Sequence, residues 1–136
     1  MAAFVDTNVV VYAFDRSDER KRLIALEIME QAEDPIVVST QVLNEFYWAV
    51  TRKLDPPLSQ ELAQEAVKNL AVGRVVPFDA DLVLEAIAIS RVHDITLWDA
   101  GIVSAASRAG SDILLTEDLN DGQVISGVTI RNPFAS

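Results

Sequence analysis

The chain has 136 residues, half of them hydrophobic, with a formal net charge of −10 and no cysteine. This length suffices for one buried core and predicts a single domain over residues 1–136; the lack of thiols excludes disulfides, zinc–thiolate sites and a cysteine nucleophile. The acidity argues against a general polyanion-binding surface, since nonspecific nucleic-acid binding runs on Lys and Arg.

No uncharged run approaches the roughly 18 residues of a membrane span. The start has no basic n-region, and Asp6 and Asn8 break its apolar stretch. A soluble, cytoplasmic protein with no membrane association is the expectation, and a cysteine-free chain is compatible with a reducing compartment.

Ala3-Phe4-Val5 predicts a first strand, ending at Asp6-Thr7-Asn8. A short helix follows, then the basic segment Arg16 to Arg22, then Leu23, Leu26 and Met29 at helical spacing. Ile36-Val37-Val38 predicts a second strand, followed by Ser39-Thr40 and a helix striped by Val42, Leu43, Phe46, Tyr47 and Val50. Pro56-Pro57 ends that helix and Ser59 caps the next, which carries Leu62, Ala66, Val67 and Leu70. Arg74-Val75-Val76 is a weaker strand signal. Leu82, Val83, Ala86, Ile87 and Ser90 mark another helix, and one starting near Leu97 closes at Gly110. Ile113-Leu114-Leu115 and Val128-Thr129-Ile130 complete the strands. The alternation predicts an α/β fold with a mainly parallel five-stranded sheet covered by helices on both faces.

In open α/β sheets, ligands bind beyond the carboxyl ends of the strands. Asp6 follows the first strand, Glu45 stands just over a turn into the helix after the second, and Thr116-Glu117-Asp118 follows the fourth. Asp99 lies in the first turn of the helix feeding the fourth strand, so it faces the same edge. Singly, three of these acids have plain explanations: Asp99 complements a helix dipole, Asp118 belongs to a turn, and Glu45 flanks an apolar stripe. Asp6 resists such an account, because an acid ending a buried central strand is rarely needed for folding. It requires a bound cation, a basic partner or a surface turn.

Together the four acids make a stronger case. Two carboxylates about 4 Å apart repel by about 4 kcal/mol at an effective dielectric near 20, so either some are protonated or a cation joins them. All-oxygen donors with a single histidine favour Mg²⁺ or Mn²⁺ over zinc, and such ions serve phosphoryl chemistry. Other chemistries fit less well. There is no glycine-rich phosphate loop and no G-x-S-x-G, and His93 beside Asp94 reads as a helix-end residue. The Arg16–Arg22 segment reads first as solvated helix surface and second as a phosphate contact. Trp48 and Trp98 read first as core anchors and second as base-stacking platforms.

Val5-Asp6-Thr7-Asn8, Asn44-Glu45-Phe46, Trp98-Asp99-Ala100 and the run Leu115 to Gln123 resemble, in order and over nearly the whole chain, the PIN-domain family, particularly VapC-type toxins of toxin–antitoxin pairs. The resemblance implies a three-layer α/β/α sandwich and a Mg²⁺- or Mn²⁺-dependent endoribonuclease acting on RNA. It places Asp6, Glu45, Asp99 and Asp118 at the family's acidic positions, with Asp6, Asp99 and Asp118 holding metal and Glu45 handling the attacking water. Thr7 and Thr116 become supporting hydroxyls, and Glu117 and Asp121 compete with Asp118 for the last acidic position. A cognate antitoxin and a homodimer are implied as partners. Two rivals stand beside this reading. One is an aspartyl-phosphate phosphatase with Asp6 as nucleophile, although Asn8 occupies the place of its usual second aspartate. The other is a catalytically silent PIN-like binding module.

Overall fold

In a computed structural model, which describes residues 2–31 and 35–135, the chain alternates strands and helices as expected. β1 (Phe4–Val5) leads into α1 (Thr7–Tyr12) and α2 (Glu19–Gln31); β2 (Val37–Ser39) into α3 (Thr40–Arg52) and α4 (Gln60–Leu70). β3 (Arg74–Val76) leads into α5 (Ala80–His93) and α6 (Leu97–Arg108), and β4 (Ile113–Leu115), β5 (Val124–Ile125) and β6 (Val128–Arg131) finish the chain. The sheet order is β3-β2-β1-β4-β6-β5, parallel except for β5 against β6. Among the described residues no helix is long and apolar enough to cross a membrane.

The strands are short; β1 and β2 are covered on both faces, while β3 and β5 at the edges are partly exposed. Phe4, Val5, Val38, Leu114 and Ile130 are all solvent-inaccessible, and β1 lies at the centre, as uninterrupted apolar runs require. Helices flank the sheet in two groups: α1 packs on α2 and α3, α3 on α4, and α5 on α6. Phe46 on α3 is fully buried, a contribution of roughly 1.5–3 kcal/mol from removing such a side chain from water. His93 is the last residue of α5, before Asp94 in the left-handed region at φ 51°, which agrees with its reading as a helix-end residue.

This strand order creates the site. Chain progression runs outward from β1 through β2 to β3, then returns through α5 and α6 to β4 on the other side of β1. The carboxyl ends of β1 and β4 therefore flank a topological switch point, where the helices of the two connections diverge and leave a crevice. Val5 is in register with Leu115, so Asp6 and Thr116 leave the sheet side by side, and the Asp6 N–H donates to the Leu115 carbonyl at 3.0 Å.

The details depart from the sequence reading at several points, among them Leu23 on α2, Tyr47 on α3 and Ile87 on α5, which the helical spacing groups with apolar stripes and which are exposed. The mainly parallel sheet carries a sixth strand, β5, joined to β6 through Ser126 and Gly127 at φ 50° and 78°. Both are left-handed, as a two-residue hairpin needs. The stripe of α4 is Ala63, Ala66 and Leu70, so Leu62 turns outward. Neither tryptophan is a core anchor: Trp48 is 51% exposed and Trp98 69%. The buried row of α3 is Val42, Phe46 and Val50 at strict i, i+4 spacing, and Trp48 lies two residues off it, on the outer side.

Candidate active site

A cleft of about 460 Å³ opens at the carboxyl edge of the sheet, and Asp6, Glu45, Asp99 and Asp118 all line it. The fold delivers each acid by a different route. Asp6 is the extended residue between β1 and α1, where it caps the helix: its Oδ1 accepts the Thr7 N–H at 2.6 Å. Glu45 is placed by Ser39, whose hydroxyl accepts the Val42 N–H and starts α3 directly off β2. Thr96 caps α6 by accepting the Asp99 N–H at 3.1 Å. Asp118 is held by its own N–H, which donates to the Thr116 hydroxyl at 3.1 Å.

Two threonines tie these carboxylates together. The Thr116 hydroxyl, fully buried, donates to Asp6 Oδ2 at 2.8 Å while accepting from Asp118, so one oxygen spans both acids. The Thr7 hydroxyl donates to Glu45 Oε2 at 3.0 Å, and Gln41 Nε2 donates to Glu45 Oε1 at 3.0 Å. Both threonines thus occupy supporting positions.

No cation compensates Asp6 among the described residues. The residue is only 5% exposed. Burial, reinforced by the charges of Asp118 and Asp99, pushes its carboxyl from the ordinary 3.8 to about 7, against the opposing hydrogen bonds from Thr116 and Thr7. Burial also raises the Asp99 carboxyl, with the Asp118 and Glu45 charges adding to it. Of the three explanations open for Asp6, the surface turn fails on burial and a basic partner within the described chain is missing.

The two neighbouring acids have other employment. Glu117 accepts from the Tyr12 hydroxyl at 2.6 Å and from Lys21 Nζ at 2.9 Å, and Asp121 Oδ1 accepts the Asn132 N–H at 2.9 Å. Neither lines the cleft. The basic segment is also largely committed: Arg20 donates to the Phe134 carbonyl, Lys21 pairs with Glu117 and Arg22 with Glu19. Its first reading, a helix surface, is the better description.

Among the described residues no three acidic or imidazole groups stand close enough to grip one ion as a ready-made cage. The donors nonetheless suit a hard divalent ion, because Mg²⁺ is commonly held by one or two carboxylates with water and substrate oxygens completing its shell. Asn8 and Gln41 line the cleft, and their Oδ1 and Oε1 atoms are buried without a hydrogen-bond donor.

Several cleft residues escaped the sequence reading. Gln41 is one turn before Glu45, and that i, i+4 spacing was the available signal. Gly101 does not line the cleft itself: a Cβ there would lie 2.8 Å from the Phe78 ring and 3.1 Å from Gln41 Oε1, so glycine is what this contact of α6 admits. Lys53 lines the cleft from the end of α3, a position no sequence pattern marks.

The PIN domain family model matches residues 3–121. The chain belongs to the PIN-domain family. Solved structures with this PIN fold include a toxin–antitoxin complex from Klebsiella pneumoniae, at TM-score 0.73 and 20% identity over 97% of this chain and 98% of that one. VapC20 of Mycobacterium tuberculosis, described as a sarcin–ricin loop cleaving toxin, matches at TM-score 0.68 and 21% identity over 83% and 87%. VapBC2 from Rickettsia felis, bound to a DNA fragment from its promoter, matches at 0.66 and 20% over 97% and 98%. At such identities the likeness concerns the fold of the PIN domain. No curated protein matches the chain in sequence.

Proposed function

We propose that this PIN domain is a Mg²⁺- or Mn²⁺-dependent endoribonuclease, the toxin of a toxin–antitoxin pair. The observation that carries this reading is the convergence of four carboxylates from separate segments on one cleft, with the most buried of them uncompensated and raised to about 7. Membership of the PIN family and the toxin chains that share its fold support it.

In this reading Asp6, Asp99 and Asp118 hold the metal, which when bound neutralises phosphate charge and acidifies water. Glu45, oriented by Thr7 and Gln41, accepts a proton from the water that attacks phosphorus in line. The bond to the 3′ oxygen breaks and that oxygen takes a proton from solvent, leaving a 5′-phosphate and a 3′-hydroxyl. Thr116 fixes the spacing of Asp6 and Asp118. An antitoxin that covers the cleft and a homodimer complete the proposal; solved PIN-fold relatives include toxin–antitoxin complexes.

The phosphatase reading is weaker, because Asn8 occupies the place of its usual second aspartate and its amide donates to Thr116. RNA cleavage measured with Mg²⁺, with Mn²⁺ and with EDTA tests the proposal. Cleavage should need the metal and vanish in Asp99→Asn; cleavage that survives either change rejects it.

A further inference from the structure

An acidic cleft has to hold a polyanion, yet most arginines and lysines on this chain are remote from it or tied to the protein. Arg20, Lys21, Arg22, Arg74 and Arg108 all bond to carboxylates or carbonyls of the chain itself. Lys53 is the single cation lining the cleft among the described residues. Its Nζ lies 4.9 Å from the centre of the Trp48 ring, on the same helix as Glu45, with no carboxylate partner among the described residues. Trp98 lines the same cleft, immediately before Asp99 and 69% exposed.

An indole that exposed is costly to keep in water, and this one is not packing the core. A second groove of about 700 Å³ shares Glu45 with the cleft and continues along α3 past Tyr47, Trp48 and Arg52. The surface leaving the carboxylates is therefore aromatic and cationic, the combination that grips unpaired nucleic acid: flat rings stack on bases, and isolated positive charges meet phosphates.

The geometry points to Trp98 and Lys53 as the substrate-positioning pair of the cleft. Trp98 stacks the base next to the scissile phosphate, and Lys53, held on the Trp48 ring, takes a neighbouring phosphate. Both residues thus act on the substrate and leave the metal alone. The inference rests on the ribonuclease reading for the identity of the scissile bond. The alternative occupant of this exposed aromatic surface is a protein chain; the interleaved cations and the continuity with the carboxylates favour RNA.

The test pairs two substrates in Mn²⁺: a short single-stranded RNA, and a small phosphodiester joining two abasic ribose units, which has no aromatic ring and no flanking phosphate. Trp98→Leu should lower kcat/KM for the RNA by roughly tenfold, mostly through KM, with Trp98→Phe largely restoring it. Lys53→Ala should weaken RNA binding and flatten its salt dependence by about 0.7 in the logarithmic slope. Hydrolysis of the small diester should be unchanged in all three variants. Unchanged RNA cleavage in Trp98→Leu overturns the inference, and so does an equal loss on both substrates, which would mean that Trp98 merely supports Asp99. A shift in oligomeric mass with no loss on RNA assigns the surface to a protein contact and overturns it as well. If the wild-type chain cleaves neither substrate, the ribonuclease reading fails by itself. Trp98 fluorescence in a Trp48→Phe background, titrated with the RNA, then decides the positioning pair: quenching that Lys53→Ala weakens supports it, and no quenching overturns it.

Discussion

Among the aspartates that cap helices in this protein, Asp79 and Asp6 could hardly differ more. Asp79 caps α5, accepts the Leu82 N–H at 2.9 Å and meets Arg108 at 2.9 Å; that hydrogen bond and charge hold its carboxyl below the ordinary range. Asp6 caps α1 in the interior with no cation beside it, and burial drives its carboxyl to about 7. A cap needs only an oxygen facing an orphan amide, which Asp79 supplies from the surface. Burying the same group among other acids works against folding, which is the observation behind the proposed metal site.

The largest expected difference is catalytic. Asp6→Asn keeps the capping oxygen and removes the charge, so RNA cleavage in Mn²⁺ should fall roughly a thousandfold, as loss of several kcal/mol of metal-borne stabilisation implies. Asp79→Asn should leave kcat within about twofold, because its charge serves Arg108 alone. Equal losses in the two variants would erase the contrast.

Stability against pH should separate them next. Asp6 has a folded value above its unfolded one, so between about pH 4 and 7 the folded state binds more protons and stability falls as pH rises. The cost of the ionised group above pH 7 is at most about 4 kcal/mol. Metal-free protein should therefore melt several degrees lower at pH 8 than at pH 5, and Asp6→Asn should flatten that slope. Asp79 is depressed instead: its contribution is present above the unfolded value and disappears as pH falls through the folded one. Asp79→Ala should lower the melting temperature by only a few degrees at pH 7, and by less at low pH.

A smaller effect sharpens the boundary of the site. Glu117 adjoins Asp118 in sequence but bonds to Tyr12 and Lys21. Glu117→Gln should change cleavage less than about threefold, whereas Asp118→Asn should reduce it strongly. Comparable losses would bring Glu117 into the metal site.

The acids were legible in the sequence because strand polarity dictates where chain segments leave a parallel sheet. Asp6 and Asp118 follow strands, Asp99 opens the helix that returns to β4, and no other geometry was needed to place them together. Less visible was how they are held. That Asp6 is a cap depends on α1 starting at once after β1, and the hub at Thr116 depends on the Val5–Leu115 register. Trp48 misled because Val42, Phe46 and Val50 already fill the buried i, i+4 row of α3 and it lies off that row, and Trp98 because it precedes the buried run of α6 that starts at Ala100. β5 was missed because it is two residues long with Val124 exposed, although the Ser126-Gly127 dipeptide after it is a hairpin signal.

The central claim is that these four acids form one divalent-ion site. Diffraction from crystals soaked in Mn²⁺, with anomalous scattering recorded, examines it directly. The account predicts a Mn²⁺ peak in the cleft in contact with Asp6, Asp99 and Asp118 oxygens, lost in Asp6→Asn. A well-ordered cleft with no peak, or Mn²⁺ bound only on another face, would contradict it.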